Sequence, residues 1–226
     1  MRTYETAALM PDLTISFRSQ MAPAEPIFEE AFTAFARGTL IPTASGPVAI
    51  EELLPGDYVE SSAGVQPVTW IGSTTYEPAA SDDGKMQTSL LRIAAEGFGP
   101  GRPMVDVVVG PAARMVMRSE RLTSRTAHER VLVPVADFAD GARIVDVAPA
   151  SSVQLYHLML GRHATMRIGG IEMESYHPGR TIGHAMGESG AALFLSLFPN
   201  IGQAEDFGAL CLTRTTRKAI DSRQSL

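Results

Sequence analysis

Residues 35–59, FARGTLIPTASGPVAIEELLPGDYV, decide how this chain folds. Gly38 permits a bend into Thr39, Leu40 and Ile41, which are β-branched or apolar, and 42–46 supply a turn. Val48 and Ile50 then alternate with small or polar neighbours. Glu51 to Leu54 make one short turn stopped by Pro55 and Gly56, and Asp57 restarts a strand with its carboxylate free to accept local backbone N–H groups. The segment therefore reads as short strands separated by tight turns.

The same texture continues from Thr39 to His177: short apolar runs with period-two alternation, broken every ten or so residues by Gly, Pro or Asp. Val65–Tyr76 and Arg130–Val135 are the clearest strands. Ser81–Gly84 signals a turn, Gly97–Pro103 is a glycine-rich loop, and Asp106 falls in a strand with one buried face. In 155–160 Leu155, His157 and Met159 alternate with Tyr156, Leu158 and Leu160, which predicts a central strand apolar on both faces. Residues 27–35 are compatible with helix or strand. After Gly179 the spacing of Leu193, Phe194, Leu197 and Phe198 becomes helical. The expectation is an all-β body with a short helical C-terminal tail, and no internal repeat.

With 226 residues, 45% of them hydrophobic, the chain has enough apolar surface for a sizeable core. A net charge of −6 argues against a nucleic-acid partner, because such a surface repels phosphates. Arg214, Arg217, Lys218 and Arg223 read as a solvated helix face. Residues 1–25 lack a continuous apolar stretch and Ala191–Phe198 is too short to cross a bilayer, so the expectation is a cytoplasmic protein without anchor or signal peptide. A lone cysteine, Cys211, excludes an internal disulfide and a cysteine-based zinc site, and its apolar neighbours make it read as a small core residue.

Gly-Thr-Leu-Ile, Ser-Gly-Pro-Val, Ile-Glu-Glu-Leu and Pro-Gly-Asp-Tyr-Val, at the spacing they have in 38–59, closely resemble the opening block of Hint domains, the family of the Hedgehog autoprocessing domain, inteins and bacterial intein-like proteins. The resemblance runs on through Gln66–Gly72, Val107–Pro111, Tyr156–Leu158 and Gly170–Pro178. It implies a horseshoe-like β fold over 34–180, with 1–33 as a leader in the position of an extein and 181–226 as a helical cap.

Members of that family cleave the peptide bond before a nucleophilic residue, most often a cysteine, whose thiolate attacks the carbonyl. A Thr or Ser and a His, spaced TxxH, hydrogen-bond the strained amide and protonate the leaving nitrogen. By the resemblance the nucleophile position is Ala34, four residues before Gly38, and the TxxH positions are Gly110 and Ala113, followed by Arg114. The intein end motif, His-Asn, falls on Glu174 and Ser175. The nucleophile, the hydroxyl and the imidazole are all replaced. The family's remaining site candidates are His157 and His163, which match a Tyr-x-Leu strand followed by a His before a tight turn, here Gly169 and Gly170. His163 is either a residual acid or base or the partner of a backbone carbonyl in a turn, whereas His157 reads as a hydrogen-bonded core histidine.

The resemblance thus implies a self-processing domain that no longer cleaves and persists as a structural or interaction module, its partner another protein or its own N-terminal flank. An active protease with an unconventional nucleophile, Thr33 or Thr39, and His163 as acid or base is the alternative. Neither threonine fits easily, since a one-residue shift in a strand turns the side chain to the other face. A third reading is a metal-binding β protein built on His157, His163, His177 and His184; their spacing matches no His-only motif, and the resemblance implies neither metal nor cofactor. His128, in the polar stretch Ser124–Arg130, reads as exposed.

Overall fold

A computed structural model describes residues 1–78, 89–118, 130–179 and 186–221. The turn expected at Ser81–Gly84, and His128, His184 and Arg223, lie outside these residues.

The architecture is all-β, as expected. Among the described residues fifteen strands form two sheets. The larger contains β1 (Arg2–Leu9), β2 (Ile15–Ala22), β3 (Phe35–Ala36), β4 (Leu40–Thr43), β5 (Gly46–Ala49), β6 (Tyr58–Ser61), β7 (Gly64–Tyr76), β8 (Leu90–Ile93), β9 (Val107–Val109), β12 (Ile144–Val147) and β13 (Val153–Leu160). The smaller has the order β11 (Arg130–Pro134), β10 (Arg114–Arg118), β15 (Ile171–Glu174), β14 (Thr165–Ile168). Among the described residues there are three α-helices, α1 (Pro26–Glu29), α2 (Glu188–Ser196) and α3 (Arg217–Asp221), none long and apolar enough to cross a membrane.

The opening block behaves as its residues dictate. Gly38 takes φ +84°, a conformation that favours glycine, and its N–H donates to Glu51 Oε2 at 2.8 Å. Asp57 Oδ2 accepts the N–H of Leu54 at 2.8 Å, closing the Pro55–Gly56 turn. Asp106, expected within a strand, instead precedes β9 and is exposed. Its carboxylate accepts the Ala95 N–H and pairs with Arg92, so it ties the glycine-rich loop to β8 rather than adding to the ladder.

Strand β7 organises the rest. Its first half alternates between buried and partly exposed residues, while residues from Trp70 to Thr74 are buried on both faces. There it lies between β1 and β13, with His157 opposite Gly72. Two cores meet at this pair of strands. Val68, Ile71, Leu158 and Leu160 face a β core with Phe35, Val109 and Met173. Trp70 and Met159 face an aromatic core built from Tyr4, Phe28, Phe32, Tyr176, Phe194, Phe198 and Phe207. β13 is therefore central and apolar on both faces, as its alternation predicts.

The tail closes the aromatic core. The Trp70 indole donates to Leu197 O at 2.8 Å, and the Phe198 ring lies 4.5 Å from Trp70 and 5.4 Å from Tyr176, parallel to the latter. Replacing Phe198, which is fully buried, with alanine is expected to remove about 3–5 kcal/mol of stability, the usual loss for a buried aromatic truncated to a cavity. Urea denaturation followed by Trp70 fluorescence measures it, and a loss below about 1 kcal/mol would contradict the packing described here.

Candidate functional site

The segment from Thr33 to Phe35 runs antiparallel to the middle of β13 and beside the turn that follows β9. Ala34 N–H donates to Tyr156 O at 3.1 Å, and Ala34 O accepts the Gly110 N–H at 2.9 Å. Thr33 O accepts the Ala112 N–H at 3.1 Å. The Thr33–Ala34 peptide is thus held on both sides by backbone, and the Ala34 methyl is fully buried. The Thr33 hydroxyl donates to Glu29 O at 2.9 Å, completing a turn of the preceding chain rather than approaching the peptide that follows it.

Gly110 has no room for a side chain. A Cβ built on it would lie 2.2 Å from Thr33 O and 2.9 Å from Thr33 C. Real Cβ atoms do not approach a carbonyl so closely, so the space that a hydroxyl-bearing residue needs is filled by the Thr33 carbonyl itself. Ala113, the other position that the resemblance pairs with Gly110, is buried, and its backbone is bound by Gly110 O and Val135 N–H.

His157 and His163 are both buried, but they differ in their partners. His157 sits between the Phe35 and Tyr176 rings, and its Nδ1 lies 3.1 Å from Glu30 O. A carbonyl accepts, so Nδ1 carries the proton. Nε2 is buried with no hydrogen-bond partner among the described residues. Burial pushes the imidazole down to about 4, and the ring is neutral at physiological pH.

His163 lies in the turn between β13 and β14. Its Nδ1 accepts the Cys211 N–H at 2.9 Å. Nε2 therefore bears the proton and points at Glu174 Oε1, 3.1 Å away, and at Ser175 O, 3.2 Å away. Both ring nitrogens are occupied. The expectation of a bonded carbonyl in a turn describes part of this arrangement; the carboxylate is the part it lacks.

Glu174, the last residue of β15, is the hub of the region, with 1% of its side chain exposed. Arg214 Nε binds Oε1 at 2.9 Å, while Arg114 Nη1 stands 3.8 Å from Oε2, which has no hydrogen bond among the described residues. Burial alone would raise the Glu174 carboxyl. The His163 hydrogen bond and the Arg214 guanidinium outweigh that and hold it below the ordinary carboxylate range. Arg214 also donates from Nη2 to His177 O at 2.6 Å. It is not part of a solvated helix face: it precedes α3, in an extended tail, and only 19% of its side chain is exposed. Arg217 and Lys218 do lie on α3 and are exposed.

His177 is 5.0 Å from His163, ring to ring. Its Nδ1 accepts the Gly179 N–H at 2.9 Å and its Nε2 faces Gly208 O at 3.1 Å, and burial pushes it down to about 4. With all four nitrogens of this pair engaged, neither ring offers a free lone pair to a metal. Among the described residues no three His, Cys, Asp or Glu side chains converge as a ligand set. Cys211 is exposed rather than in the core, on the rim of a cavity of about 830 Å³ with Glu30, Arg114 and His177. Protein packed around its sulfur, and then Glu174, push the thiol up to about 11, far from thiolate chemistry.

Residues 33–180, more than half of the chain, match the Hint domain family. Among solved structures the chain is similar to a bacterial intein-like domain from Clostridium thermocellum, at 17% identity over 65% of this chain and 99% of that one, with a TM-score of 0.43. It is also similar to the Msm DnaB1 intein splicing domain bound with zinc, at 16% identity over 64% of this chain and all of that one, with a TM-score of 0.34. No curated protein matches it.

Breaking the buried ion pair with Arg214→Ala leaves Glu174 charged and uncompensated, and is expected to cost about 3–5 kcal/mol in denaturant titrations. His157 supplies a separate pH signature. Its folded value of about 4 lies below the ordinary 6.5, so only the unfolded chain takes up a proton as the pH falls between them. Its contribution is complete above pH 6.5 and is lost toward pH 4, which makes the protein roughly 1–2 kcal/mol less stable at pH 5 than at pH 7 from this residue alone. In His157→Gln that part of the slope disappears; an unchanged slope refutes the assignment.

Proposed function

Because this chain belongs to the Hint domain family, we propose that it keeps the self-processing scaffold without the cleavage and serves as a structural or interaction module whose residues 1–33 stay attached. The observation that carries the reading is the state of the Thr33–Ala34 peptide. The residue after it has a buried methyl in place of a nucleophile, and the carbonyl before it occupies the space a residue-110 side chain would need.

Chemistry at this peptide needs an attacking atom, a group to stabilise the charge that develops on Thr33 O, and a proton for the departing Ala34 nitrogen. Only the second is supplied, weakly, by the single Ala112 N–H. The Ala34 nitrogen is committed to Tyr156 O, inside the sheet. The nearby Thr33 hydroxyl is bonded to Glu29 O. His163 is engaged at both nitrogens, and any role in acid–base catalysis requires the tail to release Nδ1 or the Glu174 side of the ring to open. The attachment of the leader favours the same reading, since β1 joins β7 through four registered residue pairs and a cut at residue 33 would leave it noncovalently bound in the sheet.

The expected result is a single intact mass for the full chain, unchanged over a day with dithiothreitol or hydroxylamine. Ala34→Cys is expected to stay intact too, because a thiol alone restores neither the hydroxyl nor the imidazole. Adding Gly110→Ser is expected to destabilise the fold through the 2.2 Å approach to Thr33 O rather than to restore cleavage. Two fragments meeting at residue 33 or 34 in the unmodified protein would overturn the proposal.

A further inference from the structure

The small sheet carries an excess of arginine that the Hint site does not use. On β10 and β11, Arg118 and Arg130 are direct cross-strand partners, and on β14 and β15 Arg167 stands opposite Glu172. Like charges placed directly opposite one another destabilise a sheet. Glu172 compensates part of this by pairing with Arg118 at 3.2 Å and with Arg130. Arg167 and Arg102 are exposed and make no ion pair among the described residues, and the buried Arg130 Nε–H has no acceptor there. Two adjoining cavities of about 590 and 380 Å³ share Arg118, Arg167 and Glu172 in their walls. Together they place four guanidinium groups, those of Arg102, Arg118, Arg130 and Arg167, against two carboxylates, Glu60 and Glu172.

On a chain of net charge −6, a groove with a local excess of two positive charges among the described residues is a separate electrostatic feature. Guanidinium forks bind carboxylates in bidentate fashion, and such contacts gain strength where one wall is apolar. The larger cavity has that wall in Phe98, Val116 and Ile171. Arginines beside an apolar floor suit a polypeptide that presents acidic and apolar side chains in alternation. They suit a nucleic acid less, because the remainder of this acidic surface repels a long phosphate backbone.

We propose that this groove binds an acidic, partly apolar peptide segment of a partner protein. The inference rests on the reading of the domain as an interaction module and names the surface that does the interacting.

The test is fluorescence anisotropy of a labelled peptide alternating Glu with Leu, titrated with the full-length protein at low ionic strength and again at roughly 0.15 M salt. Saturable binding is expected, weaker at the higher salt. Arg102→Glu combined with Arg167→Glu is expected to weaken it by about tenfold or more, since two cations become anions at exposed positions. Arg18→Glu, on the exposed edge of β2, is expected to leave it unchanged, and thermal melting of each variant checks that the fold is retained. No saturable binding, or equal loss in Arg18→Glu, overturns the proposal. Tighter binding of a single-stranded DNA of equal charge overturns the choice of partner. Intact mass on the same sample separates the two readings: binding to a chain that cleaves itself supports the groove while removing the inactive module, and an intact chain that binds nothing does the opposite.

Discussion

A single buried carboxylate sets the arrangement of the C-terminal half. Glu174 is almost wholly removed from water, and an ionised carboxylate in that position is tolerated only if cations and donors surround it. Those partners come from three separate parts of the chain: Arg114 from β10, His163 from the turn after β13, and Arg214 from the tail. Each is fixed by a further contact, Arg114 by Glu30, His163 by the Cys211 N–H and Arg214 by His177 O. The tail therefore contributes charge as well as apolar cover, and its path over the small sheet follows from the need to neutralise Glu174. Its backbone bonds to Leu132, through Thr213 O and the Thr215 N–H, hold Arg214 at the required position.

The same logic of close approach governs the segment around residue 34. In a sheet, a buried glycine beside a neighbouring chain allows the two backbones to close in, and once they have done so the missing side chain cannot be added back without moving one of them. Gly110 and the Thr33 carbonyl are in that relation. The close approach is built into the packing: Thr33 O and Ala34 O both accept N–H groups from residues 110–112, so the pairing of β3 with β9 extends past Gly110. Backbone hydrogen bonds that satisfy this peptide in its planar, ground-state form do nothing to distort it.

The fold was legible because its signals are local. Period-two alternation located β7, the doubly apolar run located the central β13, and paired glycines at 169 and 170, both with positive φ, gave the two-residue hairpin between β14 and β15. The site was legible only in part because its decisive contacts are distant in sequence. Alternation of Ile171, Glu172, Met173 and Glu174 puts both glutamates on the polar face of β15, and nothing near them says that Arg214, forty residues later, covers one of the two. Arg214 in turn stands among other basic residues, which made it read as solvated. Cys211 misled in the opposite way: its neighbours are apolar, but the tail bends at that point and leaves the residue exposed. Asp106 marks the limit of alternation as a signal, since an acidic residue flanked by valines serves equally well to cap a loop.

Glu172 and Glu174 lie on the same face of β15, two residues apart, and their different surroundings explain how charge is divided over the small sheet. Where the tail crosses, Arg114 and Arg214 are drawn into contact with Glu174, and Glu30 at the rim supplies the carboxylate that matches the second cation. Beyond the tail, among the described residues, Glu172 remains partly exposed and the guanidinium groups around it exceed the carboxylates. A buried excess charge would be expelled or neutralised during folding, whereas an exposed one is stabilised by water and persists at modest cost. The covered end of the sheet is held together by these buried charges. The other end retains arginine side chains, Arg102 and Arg167, that make no ion pair among the described residues and stand on or beside a strand framework, which is the condition for recognising a complementary surface without reorganisation.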